Sequence, residues 1–311
     1  MKNPNDFIPK IYPPAILLLL LPPLLLAITY LVPPPNDFQL PFNFSSCRRT
    51  TVASDSVIPA TVNPDFRLLI GILTLPGRYE RRHLLRLAYS LQPSHTAHID
   101  VRFIFCSLRN EEDIILVALE IMRYDDIIIL NCTESMNTGK TYTYFSSLPT
   151  IFDAVGDAKS RPYDYVMKTD DDTYFRLDNL VESLRHKHKE DMYFGAALPF
   201  YRKDSPEFML GMGYILSWDL VEWISTSEIA RNNANGPEDV LTGKWLNIGR
   251  KAKNRYSTIP AMYDYKGSNP EDFVNPTIAV HQLKDNVRWA KTLKHFNVTD
   301  RMKPSKFYHI P

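Results

Sequence analysis

The chain has 311 residues, of which 44% are hydrophobic and 23% charged, the composition of an ordinary globular protein. Its 36 basic and 35 acidic residues leave a net charge of +1, so the charge balance gives no case for nucleic acid or for strongly acidic partners. The three cysteines, Cys47, Cys106 and Cys132, cannot all pair within the chain, which excludes a disulfide-built scaffold.

The first part of the chain is predicted to hold a membrane anchor. Residues 11–32 are almost wholly apolar and long enough to span a bilayer as a helix, which Pro22 and Pro23 should kink. A cleaved signal peptide with residues 15–27 as its apolar core is the alternative, but no small-x-small cleavage site is evident. We therefore expect a short polar tail over 1–10 and an uncleaved signal anchor over 11–32.

Residues 33–65 are predicted to form a stem. They are rich in Pro, Asn, Ser and Thr and show neither helical nor strand periodicity. Asn43 begins a glycosylation sequon in this stretch, and Asn131 and Asn297 begin two more in the rest of the chain. A single sequon is weak evidence, because short motifs often occur by chance. Together with an N-terminal span, the three sequons fit a body, residues 66–311, in the secretory lumen.

From Phe66 onward, strand-like apolar runs alternate with helical segments. Repeated strand–helix units predict an α/β domain whose largely parallel sheet has helices on both faces. Cys106 lies in one of the apolar runs, where a small core residue is more common than a reactive thiol, and its pairing with Cys132 stays open. The predicted strands are 66–74, 98–106, 126–130, the run leading into Asp170, 192–198 and 277–283; the predicted helices are 78–91, 111–123, 139–155 and the segments after Ser217 and Pro237.

The strand that begins at Tyr163 ends in three consecutive carboxylates, Asp170, Asp171 and Asp172. Ligand sites of α/β proteins usually lie where the strands end at their carboxyl edge. Three adjacent acids repel one another unless a cation lies among them, and hard divalent cations bind carboxylates together with substrate phosphates. The sequence therefore predicts a site for a metal ion and a diphosphate.

Two other interpretations of these acids stay open. A solvated turn would show the same three residues, although Tyr174 and Phe175 continue the apolar pattern beyond them. The nucleophile of an aspartyl phosphatase would also show a pair of acids, but that motif needs a threonine where this chain has Tyr174.

A basic segment follows the first strand. Arg78, Arg82 and Arg86 are spaced by four residues and would share one face of a helix. Guanidinium groups at the carboxyl end of a first strand can pair with phosphate oxygens, although a solvated basic face has the same pattern. We retain Arg81 and Arg86 as candidate phosphate-binding residues.

Later segments carry further candidate chemistry. Asp239 follows Pro237 and Glu238 at a predicted helix start, where an acid either complements the helix dipole or is held ready to accept a proton. His281 lies in a late apolar strand and would complete a metal shell if the end of that strand approaches the acids; a structural core histidine is the alternative. Gly211 permits either a close backbone approach or a plain bulge.

These motifs, in this order, resemble one family: the inverting β-1,3-galactosyltransferases and N-acetylglucosaminyltransferases, a group that includes the fringe enzymes. The resemblance covers about residues 66–289. The matching residues are Arg81, Arg82 and Arg86, then 120–130, 139–141, 168–172, 211–214 with Ser217, 238–240 with Gly243, and His281.

The resemblance implies a GT-A fold, the nucleotide-diphospho-sugar transferase fold, as a single catalytic domain. It implies a UDP-sugar donor held with Mn²⁺, for which Asp172 and His281 would be the metal ligands, and Asp239 as the general base. The residues implied to hold the nucleotide or the donor sugar are Asp170 and Asp171, with Lys168 and Thr74 nearby, and Arg81 and Arg86.

The expected function is therefore transfer of galactose to the 3-hydroxyl of a glycan or glycoprotein, forming a β-1,3 linkage in protein glycosylation. The expected location is the Golgi membrane, as a single-pass type II protein with a cytoplasmic tail and a lumenal catalytic domain. Alternatives are transfer of N-acetylglucosamine, a non-catalytic glycan- or nucleotide-binding relative, and a metal phosphohydrolase. The acceptor and the oligomeric state stay open.

Overall fold

The computed structural model describes residues 64–92, 96–153, 161–199, 208–265, 273 and 276–298. The predicted tail, membrane span and nearly all of the stem lie outside these ranges. No helix among the described residues is long and apolar enough to cross a membrane.

The described residues alternate between strands and helices, as the sequence predicts. The first half runs β1 (Arg67–Leu73), α1 (Tyr79–Ser90), β2 (His98–Cys106), α2 (Glu111–Tyr124), β3 (Ile127–Leu130), α3 (Lys140–Asp153), β4 (Tyr165–Asp170), β5 (Tyr174–Phe175) and α4 (Leu177–Leu184). The second half runs β6 (Met192–Leu198), β7 (Phe208–Ser217), α5 (Trp218–Thr226), α6 (Glu228–Asn232), α7 (Glu238–Ile248), β8 (Asn254–Ser257), β9 (Met262–Asp264), β10 (Ala279–His281) and α8 (Asn286–His295).

A seven-stranded sheet forms the centre, in the order β3-β2-β1-β4-β7-β6-β8. β7 pairs antiparallel with β4 and β6, and the other neighbouring strands pair parallel. β1 is buried along nearly its whole length, as expected for a strand covered on both faces. The mixed α/β fold with a central, largely parallel sheet is therefore confirmed.

Two apolar cores lie on opposite faces of the sheet. One includes Leu85 of α1 and Leu180 of α4; the other includes Leu148 of α3 and Trp245 of α7. Gly71 of β1 allows one helix to approach closely, because a Cβ atom there would lie 2.1 Å from the hydroxyl of Tyr144. These helices cover both faces, as predicted.

A second, three-stranded sheet lies in the order β5-β10-β9. β5 begins two residues after Asp172, and β10 pairs with it antiparallel, with Ala279 opposite Phe175. β10 also pairs parallel with β9, with His281 opposite Asp264. The sequence patterns did not predict β5 or β9, which have only two and three residues.

Cys106 and Cys132 form a disulfide with a Cα–Cα distance of 5.0 Å. The pairing that the sequence left open is therefore formed, and Cys106 is buried, as the interpretation of a small core residue predicts. The two half-cystines lie where the parallel strands β2 and β3 end, which explains why an apolar run ends in a cross-link. The disulfide joins the end of β2 to the segment that leads into α3.

A buried ion pair joins α1 to α2. Arg82 and Glu120 are 1% and 2% exposed, and two guanidinium nitrogens of Arg82 donate to the two carboxylate oxygens of Glu120 at 2.5 and 2.9 Å. Arg86 adds a second contact to the same carboxylate at 2.8 Å. Burial alone would raise the pKa of Glu120, but the hydrogen bonds and charges of Arg82 and Arg86 outweigh it and hold that pKa below its usual value.

We predict that Glu120→Ala lowers the free energy of unfolding by about 3–5 kcal/mol, because it leaves the Arg82 charge buried without its partner. Urea denaturation measures the loss, and Glu112→Ala, an exposed acid on the same helix, should change it by less than about 0.5 kcal/mol. The Glu120 contribution is present above its unfolded pKa of 4.5 and is lost as the pH falls through the lower folded value. Equal losses for the two variants would contradict this account.

Candidate active site

Asp170, Asp172 and His281 lie together at the carboxyl edge of the central sheet. One ligand atom from each lies within 4.8 Å of the other two. The Nε2 atom of His281 is 3.2 Å from Asp172 Oδ1 and 3.9 Å from Asp170 Oδ2. All three side chains are half-buried, so they are held by protein on one side and open to a ligand on the other.

The second sheet creates this cluster. Asp170 ends β4, and Asp172 lies in the turn before β5. Pairing of β5 with β10 brings His281 back to that turn across more than a hundred residues of sequence. The backbone N–H of Leu283 then donates to the carbonyl of Asp172 at 2.9 Å, which fixes the two segments to each other.

The cluster is electrostatically coupled. Burial alone would raise the pKa of Asp172, but the hydrogen bond and charge of His281 hold that pKa below its usual value. Burial alone would lower the pKa of His281, but Asp172, Asp170 and Asp264 raise it. A positive charge is therefore favoured between these carboxylates.

The donor set fits a divalent cation. Carboxylate oxygens and an imidazole nitrogen are ligands that Mn²⁺ and similar ions accept. The other ring nitrogen of His281, Nδ1, lies 3.2 Å from Asp264 Oδ1. Metal-binding histidines almost always pair their second ring nitrogen with a carboxylate or a carbonyl, which fixes the ring orientation. The sequence patterns did not predict this role for Asp264, because only the pairing of β9 with β10 places it there.

Asp171 points away from that cluster. Its carboxylate accepts a hydrogen bond from Thr74 Oγ1 at 2.6 Å and pairs with Arg78 Nη1 at 2.6 Å. Burial raises the pKa of Asp171, while Thr74 and Arg78 oppose the rise. The carbonyl of Thr74 accepts from Lys140 Nζ at 2.5 Å. Both Asp171 and Thr74 are buried, so they shape the floor of the site.

Lys168 is fully buried and bridges two carboxylates. Its Nζ atom lies 2.8 Å from Asp170 Oδ1 and 2.6 Å from Glu238 Oε1, and it donates to the carbonyl of Gly211 at 2.7 Å. Burial alone would lower the pKa of Lys168, but the charges of Asp170 and Glu238 raise it well above its usual value. Lys168 therefore positions other groups, since its ammonium has no free face toward a ligand.

Glu238 and Asp239 have different environments at the start of α7. Glu238 is buried, and its second oxygen accepts from the hydroxyl of Tyr214 at 3.0 Å. Asp239 is half-buried, and its Oδ2 accepts from the backbone N–H of Gly211 at 3.2 Å. A Cβ atom at Gly211 would lie 2.6 Å from Glu238 Oε1, so this glycine of β7 permits the close approach. Asp239 is thus the carboxylate that a substrate can reach.

A large open cleft of about 1070 Å³ adjoins Asp171 and Asp172. Arg78, Arg81 and Lys284 line it with positive charge, and the acidic Glu80 lies beside them in the lining. Arg81 donates to the carbonyl of Leu283 at 2.6 Å and lies over the ring of Trp289, with 5.2 Å between its Cζ and the ring centroid. A cationic wall beside a cation site is the arrangement that a diphosphate needs.

Arg86 does not lie with these groups. Its guanidinium makes two hydrogen bonds to Asp126, at 2.8 and 2.9 Å, and contacts Glu120. Asp126 precedes β3, at the opposite edge of the sheet from the acids. The predicted phosphate-binding role of Arg86 has no support in this position. Arg78, which was not retained as a candidate, pairs with Asp171 beside the cleft instead.

Comparison with known proteins shows which glycosyltransferases this chain is similar to. Residues 80–203 match the family model described as galactosyltransferase. The beta-1,3-galactosyltransferase pvg3 of Schizosaccharomyces pombe is 27% identical over an alignment of 288 residues that covers 74% of each chain. UDP-GalNAc:beta-1,3-N-acetylgalactosaminyltransferase 2 of Xenopus tropicalis is 28% identical over 105 residues, which cover 29% of this chain and 21% of that protein.

Among solved structures, the galactosyltransferase LgtC in complex with donor and acceptor sugar analogs superposes with a TM-score of 0.43 at 11% identity. The superposition covers 78% of this chain and 98% of LgtC. The family match and the named relatives confirm the resemblance predicted from the ordered motifs: the chain is a glycosyltransferase that is similar to the β-1,3-glycosyltransferases.

Proposed function

We propose that the chain is an inverting, Mn²⁺-dependent GT-A enzyme that transfers galactose from UDP-galactose to the 3-hydroxyl of a glycan. The observation that carries the proposal is the cluster of Asp170, Asp172 and His281 beside a cationic cleft. A phosphohydrolase would share the cation site, but the galactosyltransferase match and the relatives favour transfer.

Asp170, Asp172 and His281 would hold the cation. A divalent cation supplies neutralisation of the charge that develops on the departing diphosphate. Arg78, Arg81 and Lys284 line the adjoining cleft and would bind the diphosphate oxygens. The exposed ring of Tyr79 offers a surface on which a nucleotide base can stack.

Asp239 is the proposed general base. It would take the proton of the acceptor hydroxyl while the sugar passes through an oxocarbenium-like state. One displacement from the face opposite the diphosphate inverts the anomeric centre and gives a β linkage from an α-linked donor. Lys168 supports this role indirectly, because it holds Glu238 next to the base and Asp170 next to the cation.

We further propose a Golgi, type II location with protein-linked glycans as acceptors. The Cys106–Cys132 disulfide supports an oxidising compartment, because such bonds are rare in the cytosol. Asn131 and Asn297, which begin two of the sequons, are exposed. The predicted anchor over 11–32 lies outside the described residues and stays a prediction.

The first test is donor binding. We expect Mn²⁺ with UDP-galactose to raise the melting temperature of the purified protein, because a ligand that binds the folded state stabilises it by mass action. The comparison arms are UDP, UDP-N-acetylglucosamine and UDP-N-acetylgalactosamine, each with Mn²⁺ and with chelator. A metal-dependent shift with a different UDP-sugar would correct the donor. No shift with any of them would overturn the transferase proposal.

Asp239→Asn should lower kcat by about 10²- to 10⁴-fold, the usual contribution of a general base, with donor affinity nearly unchanged. Steady-state kinetics and donor titration measure the two quantities. Glu228→Gln, an exposed acid in the first turn of helix α6, is the matched control and should leave both unchanged. Equal loss of donor binding and turnover in Asp239→Asn would make Asp239 structural.

Asp264→Asn should weaken Mn²⁺ binding at least about tenfold, because His281 loses the carboxylate that orients its ring. Titration followed by electron paramagnetic resonance of free Mn²⁺ measures this without a turnover assay. The control is Asp100→Asn, since Asp100 also pairs with a histidine, His98, at 3.1 Å, but at the start of β2. Unchanged affinity in Asp264→Asn would remove Asp264 from the site.

A further inference from the structure

The outer face of helix α2 is apolar and exposed. Ile115, Leu116, Leu119 and Met122 are 53%, 56%, 59% and 83% exposed. We call these four residues the α2 patch. The opposite face of the helix carries the buried Val117 and Glu120, so the exposed residues are the ones turned away from the core. A surface helix normally presents polar residues there, and contiguous apolar patches mark interaction sites.

The spacing within the α2 patch is typical of a helix that pairs with another helix. Ile115, Leu119 and Met122 are separated by four and then three residues, the alternation that forms the seam of two packed helices. Leu116 widens the seam on one side. From Ile115 to Met122 the seam runs for about 10 Å, the middle part of a 14-residue helix. A partner helix of similar length would cover it.

The charges at the two ends of α2 are opposite. Glu111, Glu112 and Asp113 lie in the first turn and Arg123 lies in the last, where the exposed Asp125 caps the helix and offsets part of the positive charge. If two copies of α2 pack antiparallel, the acidic end of each lies beside the basic end of the other. A two-fold axis then passes near Leu119, and the same patch is used on both subunits, as in most symmetric dimers. The charges of the two turns are therefore complementary in an antiparallel pair.

We propose that the protein forms a homodimer through antiparallel packing of the α2 patch against the same patch of a second copy. The proposal does not depend on the transferase reaction, because no residue of α2 is among the proposed cation ligands or lines the cationic cleft. A contact limited to one helix pair lies at the small end of interface sizes, under about 1,200 Å². We therefore expect a dissociation constant in the micromolar range.

An anionic lipid surface is the other occupant that an apolar helix face suggests. Helices that lie on membranes usually carry lysine and arginine beside the apolar face. Here Glu111, Glu112 and Asp113 stand at one end of the patch, which would repel anionic lipid. The charge pattern therefore favours a second copy of the chain over a membrane.

Cysteine cross-linking tests the two-fold contact in the full chain. Leu119→Cys should give a covalent dimer with a short bismaleimide, since the two side chains face each other across the axis. Ile248→Cys is the matched control, because Ile248 is 52% exposed at the end of α7 and lies outside the patch. The unsubstituted protein shows how much cross-linking arises from Cys47, since Cys106 and Cys132 are joined in the disulfide. Equal cross-linking in the three proteins, or none in Leu119→Cys at 100 µM protein, would overturn the proposal.

Charge reversal tests the orientation. Leu119→Glu should weaken dimerisation at least tenfold in sedimentation experiments, with an unchanged melting temperature at protein concentrations well below the dissociation constant, where the parent is monomeric too. Ile248→Glu should leave dimerisation unchanged. Arg123→Glu should also weaken it, and adding Glu111→Arg and Glu112→Arg should restore it. Failure of that restoration would exclude the antiparallel arrangement. A monomeric protein that instead binds vesicles containing phosphatidylserine, with binding lost in Leu119→Glu, would assign the patch to membrane and overturn the dimer.

Discussion

The buried ammonium of Lys168 is the interaction on which the site depends. A lysine with no exposed surface needs compensating charge, and here it has two carboxylates, Asp170 on the cation side and Glu238 at the start of α7. These carboxylates belong to parts of the chain that are distant in sequence, and the lysine holds them at fixed positions relative to each other. A single buried charge therefore couples the end of β4 to the helix that carries Asp239.

The second constraint is the small three-stranded sheet. Its strands have only two or three residues each, yet they determine where His281 lies. Arg81 reinforces the arrangement, since it donates to the carbonyls of both Asp171 and Leu283. The cation cluster is thus built by backbone pairing and by one guanidinium, while the large sheet supplies only Asp170 directly.

Much of the fold and part of the candidate site could be predicted from the sequence, because local residue patterns determine them. Strand β1 and strand β6 are continuous apolar runs, and α2 has strong caps and periodicity, so their positions follow from local pattern. The family resemblance predicts that Asp172 and His281 are ligands of one metal ion. In the structure His281 Nε2 lies 3.2 Å from Asp172 Oδ1.

Other features depend on contacts that local pattern does not contain. Arg78 and Arg86 share a helix face in sequence, but helix α1 runs from one edge of the sheet to the other, so only Arg78 reaches the acids. Asp264 belongs to no sequence motif. It lies beside His281 because the pairing of β9 with β10 places these two residues opposite each other.

The Cys106–Cys132 disulfide has a practical consequence for making this enzyme. It closes a loop with a sequence separation of 26 residues, for which the chain-entropy treatment gives a stabilisation of about 3.5 kcal/mol. That is a large share of the roughly 5–15 kcal/mol by which most domains are stable. The segment it restrains also carries Glu134, which pairs with the Lys140 that supports Thr74 beneath the site. Protein produced in a reducing bacterial cytoplasm would lack this bond, so an oxidising expression host is the appropriate source of material.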